Sequence, residues 1–103
     1  MEENKEFTLI SSSTELFRNN LAIMKAKNAD YSGKEDDLSN FKTSATIAKI
    51  SVEQGLLVRI MDKMSRVGNL LTTDAEVKSE SISDTISDAI NYLAILNYAL
   101  QKK

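Results

Sequence analysis

SVEQGLLVRIMDKMSRVGNLL, residues 51–71, decides the fold class of this chain. Ser51 followed by Gln54 has the form of a capping box, in which each side chain satisfies the other residue's backbone N–H at a helix start. Beyond it Leu57, Ile60, Met61, Met64, Val67 and Leu71 recur at three- and four-residue intervals. That is the period of one face of an α-helix turning about 100° per residue. The chain has no proline, and Gly55 and Gly68 fall inside the periodic pattern without ending it. The spacing predicts a helix running to about residue 72.

The same period extends outward in both directions. Ile82, Ile86, Ala89, Leu93, Leu96 and Leu100 mark a last helix over about 80–101, after the polar turn TTDAEVKSE. Upstream, Leu38, Phe41, Ala45 and Ala48 mark a helix over about 37–49. Ser11, Ser12 and Ser13 offer caps for a first helix over about 13–29, with Leu16, Phe17, Leu21 and Met24 on one side. No regular series of strands is present. The expectation is all-α, a four-helix, bundle-like domain over 11–103 with antiparallel neighbours, preceded by a flexible arm over 1–10. Its expected core includes Leu57, Ile60, Met64, Ile86, Leu93 and Leu96.

Composition removes several function classes. A chain of 103 residues makes one domain of ordinary size. Thirteen basic against fifteen acidic residues give a net charge of -2, without the basic surplus of a general nucleic-acid binder. There is no cysteine and no histidine, hence no disulfide, no thiolate or imidazole ligand and no serine triad of the usual kind. Catalysis would have to use carboxylates, lysine, tyrosine or a carboxylate-held cation. No apolar run is long enough to span a membrane, and MEENKEFTLI has no signal-peptide pattern, so a cytoplasmic location is expected.

Two polar rows stand out. Arg59, Lys63 and Arg66, with Asp62 beside them, lie away from the apolar stripe of the third helix. Glu80, Asp84, Asp88 and Asn91 do the same on the last helix. A solvated face with an Arg59/Asp62 or Asp62/Arg66 ion pair is one explanation for the basic row, and the helix dipole is one for Glu80 and Asp84 but does not cover Asp88 or Asn91. The other is that the acidic row faces cations, because like charges one turn apart repel by a few tenths of a kcal/mol. Those cations would be the basic row or a bound metal. Further along the last helix Ile95 and Tyr98 share the acidic side, so this half is apolar on both sides. A helix apolar all round is buried all round, which predicts a homo-oligomer.

The loop stretch KNADYSGKEDDLSNF, residues 27–41, buries almost nothing. It reads either as a turn capped by Asp36 or Asp37, or as one wall of a polar site. Together with SVEQGLLVRIMDKMSRVGNLL and VKSESISDTISDAINYLAIL it resembles the small phage and bacterial family named nucleotide modification associated domain 1, over about residues 25–97. The resemblance implies a nucleotide or nucleotide-derived ligand, with Tyr31 stacking on a base and Asp37 and Asn40 reading polar edges. More distantly the chain is similar to all-α nucleoside triphosphate pyrophosphohydrolases, whose E-E-x-x-E and E-x-x-D motifs hold magnesium. Here Asp62-Lys63-x-x-Arg66 and Thr85-x-x-Asp88 stand at those places, so only Asp62 and Asp88 keep a carboxylate.

Lysine and arginine can contact phosphates directly, arginine through a bidentate fork. The expectation is therefore a small phage-type nucleotide-binding protein that sequesters a host signalling nucleotide against antiviral defence, without catalytic residues or a required cofactor. Its expected ligand-binding residues are Tyr31, Asp37, Asn40, Arg59, Asp62, Lys63, Arg66, Asp84, Asp88 and Asn91. The alternatives are a magnesium-dependent pyrophosphohydrolase, using Glu80, Asp84 and Asp88 or the acids at 35–37, and a structural helical interaction protein.

Overall fold

The structure, a computed structural model, describes residues 6–31, 38–72 and 78–102, with the side chains of 28–31 and 78–81 excepted. It consists of four helices: α1 (Leu9–Tyr31), α2 (Ser39–Ala48), α3 (Val52–Leu71) and α4 (Lys78–Lys102). The chain is all-α, and its helices pack on one another. No described helix is long and apolar enough to cross a membrane.

Local chemistry sets the helix ends. Ser51 Oγ accepts from Gln54 N at 3.0 Å and Gln54 Oε1 accepts from Ser51 N at 2.9 Å, so the capping box of α3 forms as its sequence predicts. The start of α1 lies at Leu9, ahead of the expected residue 13, because Thr8 and Ser11 cap each other's backbone N–H at 3.0 Å. At the end of α2, Lys49 adopts the left-handed conformation with φ 63°. Its N–H and that of Ile50 bond back to the carbonyls of Thr46 and Ala45, closing a Schellman-type turn that glycine usually makes. Asp36 and Asp37, the expected caps of α2, lie outside the described residues.

The α3/α4 hairpin is the backbone of the fold. Lys63 meets Asp88 and Arg59 meets Tyr92, so the two helices run antiparallel. α2 packs on α3, and α1 packs on α4. Leu38, Leu56 and Ala99 form a buried cluster, joined by the partly buried Phe41, Val52, Tyr92, Ile95 and Leu96. Leu56 is 1% exposed. Asn20 is also buried at the α1/α4 crossing, where its Nδ2 donates to the Ser87 carbonyl at 3.5 Å.

The core differs from the expected one. Ile60 is buried and Leu96 half-buried, but Leu57 and Ile86 are exposed, as are Met64 (50%) and Leu93 (49%). The helices are rotated about their axes from the expected orientation. α3 turns Leu56, Ile60 and Val67 inward, and α4 turns Thr85, Ala89 and Ala99 inward. The small residues of α4 let the two helix backbones approach, and long side chains of α3 fill the seam. Of the Ile95/Tyr98 side of α4, expected to need a second subunit, Ile95 packs on the buried cluster within the chain, while Tyr98 stands 38% exposed.

Candidate functional site

α1 and α2 lie on one side of the hairpin and leave a cavity of about 510 Å³ between themselves, α3 and α4. That volume is within the range of small-molecule sites, about 300–1,000 Å³. α1 contributes Leu21, Met24, Lys25 and Lys27, and α2 contributes Leu38, Asn40 and Phe41. α3 supplies Arg59. α4 lines the far wall from Asp88 to Tyr98.

Arg59 is the centre of the arrangement. Its guanidinium carbon lies 5.7 Å from the Phe41 ring centroid and 5.6 Å from that of Tyr92, within reach for a cation–π contact with each. The two rings stand edge to face at 86° with centroids 6.4 Å apart. Arg59 Nη1 also donates to the Tyr92 hydroxyl at 3.2 Å. One donor of five is thereby used to hold the planar fork in position, and the other four meet no side-chain acceptor among the described residues. No side chain on α1–α4 forms a salt bridge with Arg59 among the described residues.

The rest of the lining has the same character. Lys25 and Lys27 also have no ion-pair partner among the described residues, so the described lining brings three cations to the cavity. Among the described residues its lining has one carboxylate, Asp88, which is bound by Lys63 Nζ at 3.3 Å. Asn40 and Asn91 bring amide groups to the wall, and Phe41, Tyr92 and Tyr98 bring aromatic rings. An arginine fork, two lysines, amides and aromatic faces suit a ligand with a phosphate at one end and a flat polar ring at the other.

Four expected ligand-binding residues are brought together here: Asn40, Arg59, Asp88 and Asn91. Lys63 does not line the cavity, because it is drawn into the α3/α4 seam by Asp88. Asp62, Arg66 and Asp84 do not line it either and stand exposed on outer faces. The basic row is thus divided along the helix axis: Arg59 and Arg66 share one side of α3 but stand two turns apart, and only Arg59 lines the cavity. The Tyr31 side chain and Asp37 lie outside what the structure describes.

For magnesium, a near-octahedral set of oxygen ligands is needed. Among the described residues no three carboxylates converge, Asp84 is exposed, and Asp88 is already bound by lysine. The described donors do not fit the ion. Glu35, Asp36, Asp37 and the Glu80 side chain are outside the described residues.

No family model, curated protein or solved structure matches this chain.

Lys25, Lys27, Tyr92 and Tyr98 were not evident as site residues in the sequence. Lys25 and Lys27 adjoin the polar loop stretch, and Tyr98 sits on the second apolar side of α4. The available signal was that this side needed a cover. The cover is α1 and α2, which leave the cavity behind them.

Proposed function

We propose that the protein binds a nucleotide or nucleotide-derived signalling molecule without chemically changing it. The observation that carries this reading is Arg59, held between Phe41 and Tyr92 with no carboxylate partner among the described residues, in a cavity of suitable size. A guanidinium without a carboxylate partner attracts an anion, and one already oriented loses less freedom when it binds. Lys25 and Lys27 add positive charge from α1, and the aromatic rings offer stacking surfaces for a base. The resemblance to the nucleotide modification associated domain 1 family points to the same ligand class.

On this reading the protein is of phage type and acts by sequestration, removing a host signalling nucleotide from a defence pathway. It works as a homo-oligomer, assembled on a surface away from the cavity. The test is incubation of the full chain with a mixture of mono-, di-, tri- and cyclic nucleotides, followed by desalting, heat release and chromatography. Recovery of one nucleotide intact is the expected result. Recovery of a hydrolysed product, lost on adding chelator, replaces sequestration with a metal-dependent pyrophosphohydrolase. No recovered nucleotide refutes the ligand class.

A further inference from the structure

α1 is the least firmly held of the four helices. Among the described residues it packs on α4 and on no other helix to a comparable extent. Ser13, Leu16, Asn20 and Met24, spaced by three, four and four, form the side of α1 turned toward the bundle, and of these only Asn20 is buried. Phe17 and Leu21, which adjoin that side, stand 57% and 52% exposed, and Ile10 more so. Helix docking is driven by apolar area removed from water. α1 removes little of it, and its best-covered position holds an amide.

That amide is poorly partnered. Asn20 is 4% exposed. Its Nδ2 reaches the Ser87 carbonyl only at 3.5 Å, the outer limit of a hydrogen bond, and its Oδ1 has no partner. A buried acceptor without a donor has lost its water and gained nothing in return. The docked position of α1 therefore carries a penalty that undocking removes. No salt bridge joins α1 to α3 or α4 among the described residues. The α3/α4 seam, by contrast, buries Leu56, Ile60, Val67, Ala89 and Ala99.

The same weakly held helix walls the cavity. Leu21, Met24, Lys25 and Lys27 line it from α1, and Arg59 lines it from α3. Arg59 is held by Phe41 and Tyr92 and, among the described residues, by no side chain of α1. Moving α1 off α4 opens the cavity and leaves the guanidinium where it stands.

We propose that α1 is a lid: it leaves α4 while the other three helices stay packed, admits a ligand, and is drawn down again by an anion held between Arg59 and the lysines of α1. The closing step rests on the phosphate reading of the cavity, whereas the opening step does not. A phosphate that contacts Arg59 and either lysine ties α3 to α1 by charge-assisted hydrogen bonds. The described residues of the ligand-free chain have no such tie. A ligand that binds the closed form in preference to the open one shifts the population toward closure.

The experiment is hydrogen exchange read by mass spectrometry on the full chain, for the wild type, Asn20→Leu and the double variant Lys25→Gln/Lys27→Gln. Each is measured in buffer and with saturating inorganic pyrophosphate, whose binding is followed by titration calorimetry. A helix released from its packing frays, so in buffer the amides of residues 16–27 are expected to exchange at least about tenfold faster than those of residues 56–67. Asn20→Leu keeps the branched shape of the side chain and removes the orphan acceptor. It is expected to slow exchange over 16–27 by at least about fivefold. Pyrophosphate is expected to slow it in the wild type and to leave it unchanged in the double lysine variant. Exchange of 16–27 at the rate of 56–67 in buffer overturns the lid, whatever the cavity binds. Bound pyrophosphate that does not slow exchange, or slows it equally without the two lysines, overturns the closing step. Failure of pyrophosphate to bind refutes the phosphate reading and removes the closing step with it; the opening of α1 is still decided by the rates in buffer and by Asn20→Leu.

Discussion

Arg59→Ala separates the cavity from the rest of the basic surface. In the ligand-free protein the change removes two cation–π contacts and the hydrogen bond to the Tyr92 hydroxyl. At an exposed site a cation–π contact is worth about 0.5–1 kcal/mol, so a melting temperature lower by a few degrees is expected, about 4–8 °C per kcal/mol in a domain of this size. The larger effect falls on binding. A hydrogen bond to a charged group contributes about 1.5–3 kcal/mol, which corresponds to a loss of about ten- to a hundredfold in affinity. Arg59→Lys keeps the charge but loses the planar fork between the rings, and is expected to recover only part of that loss. Arg66→Ala is the control, because Arg66 stands outside the cavity. The assay is isothermal titration of each variant with the nucleotide recovered from the mixed pool. Equal affinity in the wild type and Arg59→Ala would falsify the placement of the phosphate site, and a loss confined to Arg66→Ala would move that site toward the C-terminal half of α3.

Three further outcomes follow from the packing. Leu56→Ala, at the most completely buried large side chain, is expected to cost about 2–5 kcal/mol in chemical denaturation, and a loss under about 0.5 kcal/mol would mean that α3 turns another face inward. Lys49→Gly is expected to raise stability by a few tenths to about 1 kcal/mol, since glycine adopts the left-handed conformation of that residue without a Cβ penalty; a lower melting temperature contradicts the cap geometry. A double-mutant cycle on Lys63 and Asp88 is expected to give a coupling under about 1 kcal/mol that shrinks in high salt, because both groups remain partly solvated. A salt-independent coupling well above that would show a pair shielded from water.

Much of the secondary structure was legible in the sequence, because helix formation depends on neighbours along the chain. Ser51 and Gln54 are three residues apart and find each other whatever else the protein does. The apolar period of α3 and α4 is likewise a property of each segment alone. The N-terminal boundary of α1 was missed for a local reason: Thr8 and Ser11 form a reciprocal cap ahead of the serine run taken as the start.

Which part of each apolar face turns inward was decided only by tertiary structure. Counting Leu56, Ile60 and Val67 together with Leu57, Met61 and Met64, the apolar arc of α3 covers about 140° of the helix circumference at about 100° per residue. A period alone gives the middle of such an arc as the buried line. The protein instead buries one edge, where Ala89, Ala99 and Thr85 of α4 leave room for Leu56 and Ile60, and exposes the other edge with Leu57 and Met64. The cavity depended on the same rotation. Arg59 and Arg66 look alike in sequence and share one side of α3, yet the first lies level with Phe41 and Tyr92 and the second, two turns further on, stands in solvent. Residues from four helices meet at that place, and their rotations relative to one another are set by which side chains fit together across the seams. The period of each helix fixes a direction only about its own axis, and the packing between helices fixes the rest.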